Sequence, residues 1–349
     1  MAKQTEQPNT GLKNLKTALK TGDFARLYFF YGEERYLLEY YLSALRKKLV
    51  DGPLEDFNYR RLTPETVNVQ SLRDAVEAMP MMAEKTMVQV DDYDPFAQDE
   101  TTRTRLTELF SDLPDYCCLV FCYDTVPYSR SGKYKKLAEA IAQFGCEVEF
   151  PKQTAAELSD WITRHFRNYG KTISPDLCQY LIFVTGGTMT AMGMEIEKIA
   201  CYSQAPAITK SDILAVVEPV LTAVMFDITD ALAAGDYDTA LSKLQDLLRQ
   251  REEPISVLAA VGSHFRRLLS AKTVLSAGKG TETLMGMLNT GSDYYARKIL
   301  SQAGRISEER IRQAVLLCFE TDRQMKSSAD DPARLLELLL LRLAQEETP

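Results

Sequence analysis

At 349 residues the chain is long enough for two or three domains, and its 45% hydrophobic and 26% charged content is that of a globular protein. With 49 acidic and 41 basic residues its formal net charge is −8. Bulk electrostatics therefore do not draw it to nucleic acid, and any such contact needs a local patch. Seven cysteines, an odd number without a C-x-x-C pair, and only two histidines, His165 and His264, argue against a zinc site. They predict thiols that pack as small hydrophobes in a reducing compartment. The start, MAKQTEQPNTG, lacks an apolar signal core, and no stretch approaches the roughly 18 apolar residues of a membrane span, so a cytoplasmic protein is expected.

Residues 1–10 are polar and expected to be mobile. A helix is predicted over 11–19, with Leu12, Leu15 and Leu19 on one face. Residues 27–31, LYFFY, are all apolar or aromatic, as a strand covered on both faces should be. Gly32 turns the chain, and Leu38, Leu42, Leu45 and Leu49 then mark one stripe of a helix that closes on Arg46, Lys47 and Lys48.

A strand, a glycine turn and a helix is where a nucleotide-binding fold keeps its phosphate loop. That loop needs G-x-x-x-x-G-K-[ST], for phosphate-facing N–H groups, a lysine and a Mg²⁺-binding hydroxyl. Here the turn reads Gly32-Glu33-Glu34-Arg35, with one glycine, no Lys-Ser/Thr pair and two carboxylates that repel a triphosphate. Either the architecture of a nucleotide site survives without its chemistry, or this is an ordinary strand–turn–helix.

Residues 57–62 alternate like a strand, and 69–79 have helical period up to Pro80. Met81-Met82 precede a strand over 86–90 that ends in Asp91-Asp92, followed by an acidic loop. A short helix over 102–110, a buried strand over 116–123, a helix over 133–144 capped by Gly145 and a strand over 146–150 complete five strands separated by helices. That pattern implies a mostly parallel, doubly wound sheet.

From Pro151 onward every long segment has helical period. Helices are predicted over 155–168, 175–185, 189–202 and 210–217, with a hinge at Glu218-Pro219. Longer ones follow over 225–234, 238–251, 254–276, 294–303, 308–326 and 332–345. Seven leucines between Leu335 and Leu343 surround the last helix, which demands burial within a bundle or an oligomer interface. The expected division is 1–150 α/β, 151–217 small helical domain, 218–349 helical bundle.

A degenerate phosphate-loop sheet domain, a small helical domain and a bundle, in that order, resembles the clamp-loader branch of the AAA+ ATPases. The segments YGEERYLLEYYLSALRKKL, AMPMMAEKTMVQVDD, LSDWITRHFRNYGKTIS, GGTMTAMGMEIEKIA, YYARKILSQAGRIS and DDPARLLELLLLRL each resemble the delta-subunit family of bacterial DNA polymerase III. The likeness runs from about residue 25 to 345 and implies an AAA+-like fold with a helical lid and collar. It also implies a non-catalytic role: binding the ring-shaped beta sliding clamp and opening one of its interfaces for loading on primed DNA. The implied partners are the gamma/tau ATPase and delta-prime subunits and the primer–template, with no cofactor, no metal and no catalytic residue in this chain. The complex as a whole, DNA-directed DNA polymerase III, is a nucleotidyltransferase.

Met81 and Met82, with Met79 and Pro80 beside them, lie between a helix stop and a strand, where apolar side chains gain nothing from self-burial. In the family this junction carries a hydrophobic pair, usually bulkier and often including Phe, that inserts into a pocket on the clamp. The competing placement is under the sheet, as core. Asp91-Asp92 stand where a metal-holding pair would, and without the lysine and hydroxyl they read as remnant or strand-end solvation. Residues 128–136, YSRSGKYKK, can meet phosphate or a partner's acidic face, or form a solvated helix start. Residues 263–298 hold Arg266, Arg267, Lys272, Lys279, Arg297 and Lys298 with Tyr294 and Tyr295, a set suited to a primer–template junction or to bundle packing. An active AAA+-like NTPase and a helical scaffold outside replication remain as rival readings. No Ser-His-Asp, Cys-His or paired-carboxylate arrangement points to a hydrolase.

Overall fold

A computed structural model of the chain describes residues 10–52 and 54–344. The expectations for residues 1–9 and for Gln345 lie outside the described residues. The chain divides into two compact units, Met1–Gln153 and Thr154–Pro349.

The first unit runs α1 (Thr10–Thr21), β1 (Leu27–Tyr31), α2 (Arg35–Val50), α3 (Glu55–Asn58), β2 (Tyr59–Leu62), α4 (Val69–Glu77), β3 (Thr86–Asp91), α5 (Glu100–Ser111), β4 (Cys117–Cys122), α6 (Lys135–Phe144) and β5 (Gly145–Glu149). All five strands are parallel, in the order β2-β3-β4-β1-β5. The unbroken apolar run of β1 is explained by its place between β4 and β5, where both faces are covered. Leu27 and Phe29 join Leu72, Val76, Leu106 and Ile141 on the side of α4, α5 and α6. Tyr28 and Phe30 join Leu15, Leu38 and Leu45 on the side of α1 and α2. Phe29 stacks on Phe121 of the neighbouring strand at 5.0 Å between ring centres.

One element departs from the sequence pattern. The strand expected over 57–62 starts only at Tyr59, because Asn58 ends a one-turn helix and its amide donates back to the Leu54 carbonyl (3.1 Å).

The described residues of the second unit form helices, with one isolated parallel bridge between Thr172 and Ala207: α7 (Ala155–Asn168), α8 (Pro175–Thr185), α9 (Met189–Tyr202), α10 (Lys210–Val216), α11 (Leu221–Ala233), α12 (Tyr237–Arg249), α13 (Pro254–Ser276), α14 (Thr281–Leu288), α15 (Asp293–Arg305), α16 (Glu308–Ser327) and α17 (Pro332–Ala344). Thr154 and Glu157 form a capping box on α7, and Asp331 precedes Pro332 at the start of α17. Helix α14 escaped the sequence pattern because it is eight residues long, contains Gly286 and fully buries only Leu284. Five of the seven leucines of α17 are buried, while Leu338 and Leu341 stay exposed. The thiols are free, and burial pushes Cys117 up to about 11 and Cys318 up to about 12. Cys201 corrects the expectation of packed thiols, for it lies on the exposed side of α9.

His264 is the buried titratable group of the bundle, 2% exposed on α13. Its Nε2 meets Oε1 of Gln302 at 2.7 Å. The Gln302 amide nitrogen in turn donates to the Phe226 carbonyl (3.1 Å) and to Asp230 (2.8 Å), so Oε1 accepts and His264 Nε2 carries the proton. Burial pushes the imidazole from 6.5 down to about 4; the bond to Gln302 opposes this, and nearby Arg267 and Lys298 reinforce it. A histidine that refuses a proton when folded makes stability rise with pH across that window. The helical unit should be at full stability above pH 6.5 and lose on the order of 3 kcal/mol as pH falls toward 4. Urea midpoints at pH 7 and pH 5 measure this; His264→Leu should flatten the fall, and an unchanged slope in that variant would contradict the assignment.

Candidate functional site

The turn after β1 is drawn tight. Gly32 has φ 133°, and a Cβ there would lie 2.2 Å from the Phe150 carbonyl oxygen. Phe150 N–H donates to the Tyr31 carbonyl (2.7 Å), and Glu34 N–H donates to the Phe150 carbonyl (2.9 Å). The backbone that would arch over phosphates is thus stitched to the end of β5. Burial raises the Glu34 carboxyl above its usual range, against the Tyr36 N–H and Lys152.

Beside this turn lies a cavity of about 380 Å³ at the ends of β1, β3 and β4, lined by Gly32, Arg35, Glu39, Arg46, Arg61, Asp91, Asp92 and Asp124 among others. Its three arginines are all engaged within the chain. Arg35 pairs with Asp124 and with Glu39 (2.8 Å), Arg61 with Asp91, and Arg46 with Glu55 while covering the Tyr59 ring at 3.7 Å. Asp92 sits at φ 47° and accepts from the N–H groups of Asp124 (2.7 Å) and Thr125 (3.0 Å) and from the Thr125 hydroxyl (2.7 Å). Burial would raise its carboxyl, but these donors outweigh it and hold the pKa below the ordinary value. The acidic pair is therefore spoken for: Asp91 by Arg61 and Gln89, Asp92 by the turn after β4. Among the described residues no group of three or more His, Cys, Asp or Glu is arranged to hold a metal ion.

The methionines occupy a different edge of the same unit. Asn68 and Ser71 close a capping box on α4, which ends at Glu77 before Pro80. The segment to β3 is tied at three places. Tyr116 donates its hydroxyl to the Glu77 carbonyl (3.0 Å), Asn58 bonds both backbone groups of Met81 (2.7 and 3.0 Å), and Lys85 donates to the Asp115 carbonyl (2.6 Å). Held this way, Met79 is 80%, Met81 49% and Met82 93% exposed, and Met82 takes φ 50°. These thioethers are not core. Phe57, on α3, is exposed as well. The sequence reading singled out neither Phe57 nor Asn58; an asparagine heading a strand-like run was the available signal, since Asn is depleted in strands.

The other basic stretches are absorbed by packing only in part, and Lys133, Lys135 and Lys136 stay exposed. Tyr128 stacks on Phe29 (5.3 Å), its hydroxyl donates to Glu147 (2.7 Å), and Arg130 pairs with Glu147 (2.9 Å). In the bundle, Arg267 donates to the Tyr295 hydroxyl (2.7 Å), and the Tyr295 ring meets Phe226 at 5.5 Å. Lys298 lies over Phe183 (4.7 Å) and Phe226 (5.1 Å), and burial lowers its pKa. Tyr294 is partly buried near Phe183, and Lys272 is partly buried on α13. Arg266 and Arg297 stay exposed, Arg297 paired with Asp293 at 2.8 Å.

With no lysine lining the cavity and its arginines internally paired, a triphosphate would have to break ion pairs to bind beside four carboxylates. Equilibrium titration of the chain with labelled ATP should show no saturation up to about 1 mM. Micromolar affinity would refute this reading.

A family model described as "DNA polymerase III, delta subunit" matches residues 28–147, and one described as "DNA polymerase III delta subunit, C-terminal domain" matches residues 222–343. The DNA polymerase III subunit delta of Bacillus subtilis (strain 168) is 27% identical over 332 residues, covering 93% of this chain and 95% of that one. A probable DNA polymerase III subunit delta of Aquifex aeolicus (strain VF5) is 22% identical over 332 residues, covering 92% of each. The solved structure of the Bacillus subtilis DNA clamp loader delta protein matches with a TM-score of 0.61 at 25% identity, covering 96% of this chain and 100% of that one.

Proposed function

The chain belongs to the family of DNA polymerase III delta subunits, clamp-loader proteins of AAA+ fold that act in DNA replication, and we propose that it binds and opens the beta sliding clamp without binding ATP itself. The observation that carries this reading is the loop 78–85, whose methionines are exposed on a segment tied through the Glu77 carbonyl, the Met81 backbone and the Lys85 side chain. Apolar side chains clustered and exposed on a fixed loop mark a surface made for a partner. Met79, Pro80, Met81 and Met82 are the segment that enters an apolar pocket on the clamp, and methionine's flexible, polarisable chain suits such a groove. Opening follows from differential affinity: the chain must bind the open clamp more tightly than the closed one.

The remaining roles divide along the chain. The unit at 1–150 carries clamp contact, 151–217 is a small lid, and 218–349 is the collar joining the gamma/tau and delta-prime subunits. The start of the C-terminal family match at residue 222, at the beginning of α11, supports a boundary there. Contact with primer–template DNA inside the complex falls to the exposed Arg266 and Arg297. The chain is non-catalytic, works in the cytoplasm and needs no cofactor; among the described residues no helix is long and apolar enough to cross a membrane.

Burying a methionine side chain is worth about 1.5–3 kcal/mol, so losing two should weaken clamp binding by more than about 100-fold. Surface plasmon resonance of Met81→Ala/Met82→Ala against immobilised beta clamp should show this loss, with an unchanged circular dichroism spectrum. Wild-type affinity in the folded variant would refute the site.

A further inference from the structure

Asn58 is 3% exposed, yet it lies outside the paired residues of the β2–β3 ladder. Its side-chain oxygen accepts the Met81 N–H at 2.7 Å, and its amide nitrogen donates to the Met81 carbonyl at 3.0 Å and to the Leu54 carbonyl at 3.1 Å. One side chain thereby satisfies both backbone groups of a single loop residue, as a neighbouring strand would. The ladder between β2 and β3 begins with Tyr59 opposite Met87. Asn58 extends that attachment to a loop that has left the sheet.

The next residue, Met82, holds φ 50°, a conformation uncommon outside glycine and asparagine, and is 93% exposed. Nothing in its own side chain rewards that geometry. It persists because the residue before it is fixed.

We propose that Asn58 is the positioning residue of the clamp-binding loop: it pre-organises Met81 and Met82 so that docking need not order them. The inference rests on the docking role given to the methionines. It is specific to asparagine by chemistry, since the group must accept from one N–H and donate to two carbonyls. Aspartate would turn a carboxylate oxygen toward those carbonyls, glutamine is one methylene too long, and alanine leaves the Met81 N–H and carbonyl unpaired.

The test compares wild type, Asn58→Ala, Asn58→Asp and Met81→Ala/Met82→Ala, each as the full chain. Amide hydrogen exchange by NMR should show Met81 protected in wild type and exchanging freely in both Asn58 variants. Clamp association rates should fall about tenfold in those variants, in proportion to the lost population of the docking-ready loop, with dissociation rates little changed. A purely structural role would change exchange across the sheet and lower the melting temperature without singling out the association rate. Added to Met81→Ala/Met82→Ala, Asn58→Ala should lower clamp affinity no further. Wild-type association in Asn58→Ala, with binding lost in the methionine variant, overturns the positioning role alone. Wild-type binding in the methionine variant overturns the docking role and this proposal with it. Unchanged Met81 exchange in Asn58→Ala overturns the proposal whatever the clamp does.

Discussion

Three thioethers stand in water because the backbone beneath them is bound elsewhere. Tyr116 holds the end of α4, Asn58 holds Met81, and Lys85 ties the approach to β3. Each anchor lies on or beside an element of the parallel sheet, and the sheet is rigid because β1, β3 and β4 are covered on both faces. The hydrophobic effect favours collapse of Met79, Met81 and Met82 onto the domain, and the hydrogen bonds of Tyr116, Asn58 and Lys85 oppose it. What remains is an apolar surface exposed to water.

The pocket at the strand ends shows the opposite use of polar groups. In an ATP-binding relative of this architecture, cations would stand ready for phosphate. Here Arg35, Arg46 and Arg61 are neutralised by Asp124, Glu39, Glu55 and Asp91, and the turn after Gly32 is stitched to Phe150. Pairs this exposed add little stability each. Their consequence is electrostatic: the site offers no unpaired positive charge, and its geometry needs no ligand to be complete. The cavity at the strand ends is closed by the chain's own side chains.

Much of this was legible in the sequence, because the signals were local and repeated. The run LYFFY has the unbroken apolar character of a doubly covered strand, and α7, α8, α9 and α13 were marked by their helical period. The missing lysine after Gly32 was equally plain. What escaped was set by tertiary contacts. The α3 turn exists because the Asn58 side chain finds Leu54 and Met81, the latter 23 residues away, and no periodicity encodes that. For Tyr295, Arg267 and Lys298 the sequence left a nucleic-acid surface and bundle packing both open, and Phe183 and Phe226 lie against them in the structure. Composition gives the charge of a segment and says nothing about which side of the helix faces the core.

Methyl resonances of the chain labelled at methionine report the central claim directly. On titration with beta clamp, the methyls of Met79, Met81 and Met82 should shift and broaden, while those of the buried Met87, Met189, Met192 and Met225 stay in place. Binding that leaves the three exposed methyls unmoved would contradict the account.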